Sequence, residues 1–215
     1  MGKTRKKNYT LDELVSFFQL EKVEKCESLQ EWLNIDYPLN ELETIVLKRK
    51  HQEMVLEGDY WNEEELKIRF IAFLLDIAAI DVKNTLKVFF ERPLKATIDK
   101  KDLSVVCDCM VATPIGFNTP NEPYFFLQEF KKGKGNPHDP EAQTLEAMLI
   151  AQQKNESDLP LYGSWVIGRH WFFAVLKGKE YCVGKSFDAT QWEDISQIVF
   201  ILRHLKDLIL KRIGK

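Results

Sequence analysis

The 215 residues contain no apolar run long enough to span a bilayer and no excess of positive charge. With 30 Lys and Arg against 33 Asp and Glu, the formal net charge is -3, so no global positive field announces a nucleic-acid partner and any basic surface must be local. Cysteine is scarce, and Cys26, Cys107, Cys109 and Cys182 form neither a CxxC pair nor a zinc pattern. Their spacing predicts Cys107 and Cys109 on one face of a strand, as free buried thiols in a reducing compartment. The four histidines, His51, His138, His170 and His204, are scattered without an HExxH arrangement. A phosphate loop is missing as well: Gly184-Lys185-Ser186 would need a glycine at position 179, which is Lys179, and no helix is expected directly after Ser186. Met1 to Lys7 carries Lys3, Arg5, Lys6 and Lys7 without the apolar core of a signal peptide, and repeats and low-complexity stretches are lacking. These absences predict a cytoplasmic chain with no membrane partner.

What is present is globular: 45% hydrophobic and 29% charged residues, at a length typical of one large domain. Residues 1–58 read as a helical extension and 59–215 as the main domain. In the extension, Thr10 and Glu13 form a capping box ahead of Leu11, Leu14, Val15 and Phe18. A second helix holds Leu29, Trp32 and Leu33, and a third ends at Gly58. Asn62 caps a helix over 63–79 with Leu66, Phe70, Phe73, Leu74 and Ile77 on one stripe. Stepping back about 100° per residue sets Glu63 over the stripe, facing the core, with Glu64 at its margin and Glu65 behind.

From Leu86 the period changes to two, giving strands over 86–91, 94–98 and 103–112, with turns at Pro93 and over 99–102. In the third, Val106, Asp108 and Met110 share a face. The next strand, over 124–131, reads Tyr-Phe-Phe-Leu-Gln-Glu-Phe-Lys. Alternation sends Phe125, Leu127, Glu129 and Lys131 to one face and Phe126, Gln128 and Phe130 to the other. Taken alone, Glu129 and Lys131 suit the solvent face of an edge strand. The midpoint between positions 108 and 129 falls between Asn118 and Thr119, inside a segment with turn composition. A hairpin about that point sets Asp108 opposite Glu129, or within a residue or two of it. Two facing carboxylates repel unless a cation lies between them, so a divalent metal with an anionic substrate is the economical reading.

Beyond this strand, Lys132 to His138 is a basic loop broken by glycines. Asp139 and Pro140 open a helix to about Lys154, whose first turn carries Gln143 on a stripe with Ala147 and Ile150. Strands over 161–167, 170–176 and 180–183 follow, then a final helix from Thr190.

The ordered set of a helix with an inward acid, a strand with Asp108, a strand with Glu129-Phe130-Lys131 and a helix with Gln143 resembles the PD-(D/E)xK nuclease superfamily. The likeness runs from about Trp61 to Leu176. The opening run Trp61 to Lys67 is similar to the first helix of nuclease domains in type I restriction subunits. The strings Tyr124 to Lys132, Ala147 to Ala151 and Ser186 to Thr190 are similar to a bacterial branch. Cys107 stands before the Asp where the superfamily often has proline.

The resemblance implies an α/β (α+β) restriction-endonuclease-like core, a central mixed β-sheet flanked by helices. It further implies Mg²⁺, with Mn²⁺ as substitute, held by Asp108, Glu129 and the Phe130 carbonyl, with Glu63 as a further ligand. Lys131 would position the attacking water, and Gln143 would hold it or a phosphate oxygen. Lys132, Lys134 and the amides of Gly133 and Gly135 would contact a nucleic-acid backbone, DNA being favoured. The activity expected is metal-dependent phosphodiester cleavage, and cutting a duplex would favour a homodimer. The alternatives are a non-catalytic nucleic-acid- or protein-binding member of the same fold and a structural module with a chance ExK.

Overall fold

In a computed structural model, residues 9–133 and 139–214 are described. Their strands are β1 (Glu21–Val23), β2 (Lys87–Ile98), β3 (Lys101–Ile115), β4 (Thr119–Lys131), β5 (Leu161–Ile167), β6 (His170–Lys177), β7 (Glu180–Val183) and β8 (Phe187–Asp188). They form one mixed sheet in the order β1-β7-β6-β5-β4-β3-β2, with β8 paired to β6. The pairs β1/β7 and β4/β5 are parallel and the rest antiparallel. The α/β class, with a mixed sheet flanked by helices, is therefore as expected.

Helices α1 (Leu11–Phe18) and α6 (Pro140–Asn155) cover one face. The other face carries α2 (Glu27–Leu33), α3 (Glu41–Glu57), α4 (Glu63–Leu66), α5 (Ala72–Ile77) and the long α7 (Trp192–Arg212). The caps at Thr10, Asn62 and Asp139 are as read: Thr10 forms its box with Glu13, Asp139 caps α6 with Pro140 in its first turn, and Asn62 forms with Glu65 a reciprocal box that the reading did not include. Buried Trp32 of α2 donates from Nε1 to the Ile201 carbonyl (2.9 Å) and packs on Phe126, Tyr162 and Phe173. The N-terminal stretch thus shares the core of the main sheet, and it adds β1, a strand that the helical reading did not include.

Several expectations shift for local reasons. Residues over 86–91 and 94–98 are one strand, because Pro93 lies on edge strand β2, where a missing N–H is tolerated. The turn after it is tight, with Asp99 and Lys100 both left-handed (φ 48° and 64°). Between α4 and α5 the chain makes a π turn over Lys67–Ile71. The extra residue shifts the phase of the helix after it, so the buried stripe keeps Leu66 and Phe70 and continues with Ile71, Leu74 and Leu75, while Phe73 and Ile77 are only partly buried.

Candidate active site

Strand β4 leaves the turn in register with β3 (Ile115↔Thr119, Pro114↔Pro120, Thr113↔Asn121). The register then slips twice and continues as Val111↔Phe126, Met110↔Leu127 and Cys109↔Gln128. One slip leaves Phe125 unpaired and turns it to the face of Phe126 and Phe130, away from Leu127. Cys109↔Gln128 is the last pair of the ladder, so the next step sets Asp108 against Glu129. The expected approach is reached, but not by a simple hairpin: the register at the turn alone would set Asp108 against Phe126, and the two slips, three residues in all, carry it to Glu129.

Asp108 sits where the sheet is most irregular. The β2–β3 ladder pairs Phe90 with Cys109 and Arg92 with Cys107 but skips Glu91 and Asp108, and Glu91 is left-handed (φ 53°). Both strands exchange faces there. Leu103, Val105 and Cys107 before the break, and Met110 and Ala112 after it, pack on the α6 side, while Cys109 and Val111 pack on the α7 side. Asp108 therefore does not share a face with Val106 and Met110, and the two cysteines lie on opposite faces. Both are free and buried as expected, and burial pushes their pKa values up, so neither is a thiolate at neutral pH.

The half-buried Asp108 accepts a hydrogen bond at Oδ2 from the Phe130 amide (2.7 Å) across the opening between β3 and β4. Glu129 lies on the next strand, beside Trp165 of β5, with 1% of its surface exposed. Buried Lys131 reaches into the gap: its Nζ is 3.7 Å from Asp108 Oδ2, 3.8 Å from Glu129 Oε2 and 2.8 Å from the Phe130 carbonyl, to which it donates. Neither oxygen of Glu129 accepts a hydrogen bond. Two acids and one base leave a negative charge in excess in a buried place. Burial, then the Asp108 carboxylate, push the Glu129 pKa well above the usual carboxylate range, against the pull of Lys131. The Asp108 carboxyl is also raised, mainly by burial, opposed by the Phe130 amide and Lys131.

The chain matches no protein-family model and no curated protein.

The other expected site residues are less tightly gathered. Glu63 is exposed rather than inward: it stands at the very start of α4, one turn before Leu66, the first buried residue of the helix. Glu65 is used up in the Asn62 cap, while Glu64 reaches Lys67 (2.6 Å). Gln143 is half-buried in the first turn of α6 with its Oε1 unpartnered, and among the described residues it makes no side-chain hydrogen bond to Asp108, Glu129 or Lys131. Lys132 and Gly133 are exposed, and Lys134, Gly135 and His138 lie outside the described residues. Sequence reasoning missed Lys67 and Glu91, whose side chains form an ion pair (2.8 Å), Glu91 standing across the interrupted β2–β3 ladder from Asp108. The missing signal was present: positions 91 and 108 have their midpoint in the Asp99-Lys100 turn, and that ladder keeps one register on both sides of the break.

Among the described residues no three His, Cys, Asp or Glu side chains form a ready metal cage. Asp108 and Glu129 still fit a hard divalent cation by two tests: a buried carboxylate whose oxygens lack donors, and an all-oxygen donor set. Magnesium takes one or two carboxylates and fills its remaining positions with water and phosphate, so two acids suffice for it.

Proposed function

We propose that the protein is a Mg²⁺-dependent nuclease of restriction-endonuclease-like fold, hydrolysing phosphodiester bonds in nucleic acid, DNA before RNA. The observation that carries this reading is the orphaned Glu129 carboxylate, buried against Asp108 with Lys131 within 4 Å of both. The order α4/α5, three antiparallel strands, α6, then a parallel β5 agrees with the order on which the resemblance rests.

Asp108 and Glu129 would hold the cation, with the Phe130 carbonyl available once Lys131 releases it. When bound, the ion supplies Lewis acidity toward the phosphate and an acidified water. The chain's own contributions are positional and electrostatic. The Phe130 amide fixes the Asp108 carboxylate, and the β4–β5 pairing fixes Glu129. The Lys131 side chain, beside both acids, offsets negative charge developing on the phosphoryl oxygens. Exposed Lys132 suits a phosphate contact that gives affinity without sequence preference.

A second reading has one observation in its favour. The Lys131 ammonium already spans both acids and the Phe130 carbonyl, as an internal counter-ion would in a binding module without turnover. The two readings separate in one experiment. Single-stranded, nicked, branched and duplex DNA and RNA are incubated with Mg²⁺ or Mn²⁺ and wild type, Asp108→Ala or Lys131→Ala. Cleavage lost in both variants supports the nuclease. Cleavage surviving both removes these residues from the site, and metal binding without cleavage of any substrate supports the binding module.

A further inference from the structure

Two backbone irregularities that sequence periodicity does not anticipate meet in one ion pair at the edge of the site. The π turn over Lys67–Ile71 delivers Lys67, whose Nζ bonds Glu64 (2.6 Å) and Glu91 (2.8 Å). Glu91 is the left-handed residue of β2 that stands across the interrupted ladder from Asp108. A bulky side chain in that conformation is strained, and such strain persists only where the surroundings over-determine it. Glu91 would be better accommodated as glycine or asparagine if its only task were the bend. Its carboxylate is half-exposed, held by a nearly buried lysine, and its charge is felt at Asp108.

The inward side of the same cluster contains the buried Glu129 carboxylate with both oxygens free of donors. Asp108 thus lies between an orphaned acid on β4 and a tethered acid on β2. The described residues offer no three-carboxylate cage, so Glu91 does not belong to the direct ligands. Magnesium and manganese retain several waters when bound by few carboxylates, and a carboxylate just outside the ligands can act on the ion through that hydration shell.

We infer that Glu91 is a positioning residue of the cation site, an outer carboxylate that acts on an ion held by Asp108 and Glu129 through its water shell, with Lys67 as its tether. The inference rests on the reading of Asp108 and Glu129 as cation ligands. It adds a residue from the edge strand, selected by reach as well as by charge. Glu91→Asp keeps the charge, is better suited to a left-handed backbone, and withdraws the carboxylate by one methylene.

The test is Mn²⁺ binding to the full chain without nucleic acid, followed by the EPR signal of free Mn²⁺ at low and at high salt. Wild type, Glu91→Gln, Glu91→Asp and Glu129→Gln are compared, with thermal melts confirming that each is folded. Both Glu91 variants are expected to bind Mn²⁺ about 10-fold more weakly than wild type, at either salt concentration. If Glu91→Asp binds as wild type does while Glu91→Gln is weaker only at low salt, Glu91 supplies a screened field and the inference is overturned. Equal binding by wild type and both Glu91 variants overturns it too, reducing Lys67–Glu91 to a structural ion pair. Binding that survives Glu129→Gln overturns the assignment of the ligands themselves, and with it the part given to Glu91.

Discussion

Replacing Glu129 by glutamine tests the electrostatics of the site without any substrate. In the metal-free protein the wild-type carboxylate is 1% exposed, receives no hydrogen bond and faces Asp108. Glutamine keeps the shape, removes the charge and can donate its amide N–H to Asp108. A buried polar group left unsatisfied costs about 1–3 kcal/mol, and a charged one more. The variant should therefore be more stable than wild type by about 1–3 kcal/mol at pH 8 in chelator, a rise of roughly 2–12 °C in melting temperature for a chain of this length. The pH dependence has a definite sign. The folded-state pKa values of Glu129 and Asp108 are raised, so wild-type stability is intact below the ordinary carboxylate range and falls as pH rises through the raised values. The gap between the two proteins should close toward pH 4, where Glu129 is protonated and can itself donate. Adding Mg²⁺ at 100-fold excess over Kd should stabilise wild type, and not the variant, by about 2.7 kcal/mol at pH 8, enough to offset most or all of the gap. The assay is a series of thermal melts from pH 4 to 9, with chelator or Mg²⁺. A variant that melts below wild type at pH 8 in chelator, or a gap that does not narrow toward pH 4, refutes the reasoning.

Other substitutions probe separate parts of the account. Lys131→Ala should lower cleavage by about 10²–10³-fold, measured as single-turnover rate at saturating Mg²⁺, while leaving the fold cooperative. Gly168→Ala would push a Cβ to 2.9 Å from Gly133 Cα at a left-handed position (φ 57°). Because the Gly168 amide donates to the Lys131 carbonyl, this should cost more than about 1 kcal/mol in urea titration and also weaken Mn²⁺ binding. Trp32→Ala should cost about 3–5 kcal/mol in the same titration, since Trp32 is wholly buried and links α2 to α7 and the sheet.

The parts of the structure that depend on local chemistry were legible. Caps at Thr10, Asn62 and Asp139 follow from side-chain oxygens placed before helices, and the β3–β4 hairpin follows from a turn between two alternating runs. The approach of Asp108 to Glu129 is expected from one midpoint, but the register at the turn falls three residues short of it and the two slips along β4 supply the difference. What escaped depends on irregular backbone. An inserted residue in the Lys67–Ile71 turn set Ile71 and Leu75 in the core and left Phe73 and Ile77 only partly buried, and no single-residue propensity marks such an insertion. The break at Glu91 and Asp108 exchanged the faces of two strands and separated Cys107 from Cys109. A slip beside Tyr124 did the same to Phe125. Strand β1 is three residues long and exists through its pairing with β7, so its own composition carries little signal.

The central claim is that a divalent cation belongs between Asp108 and Glu129. Crystals soaked in Mn²⁺ and measured at its absorption edge test it most directly. The account predicts an anomalous peak within coordination distance of both carboxylates, with the Lys131 amine displaced from the Phe130 carbonyl. At saturating Mn²⁺, the absence of a peak, with Lys131 still bonded to that carbonyl, would contradict it.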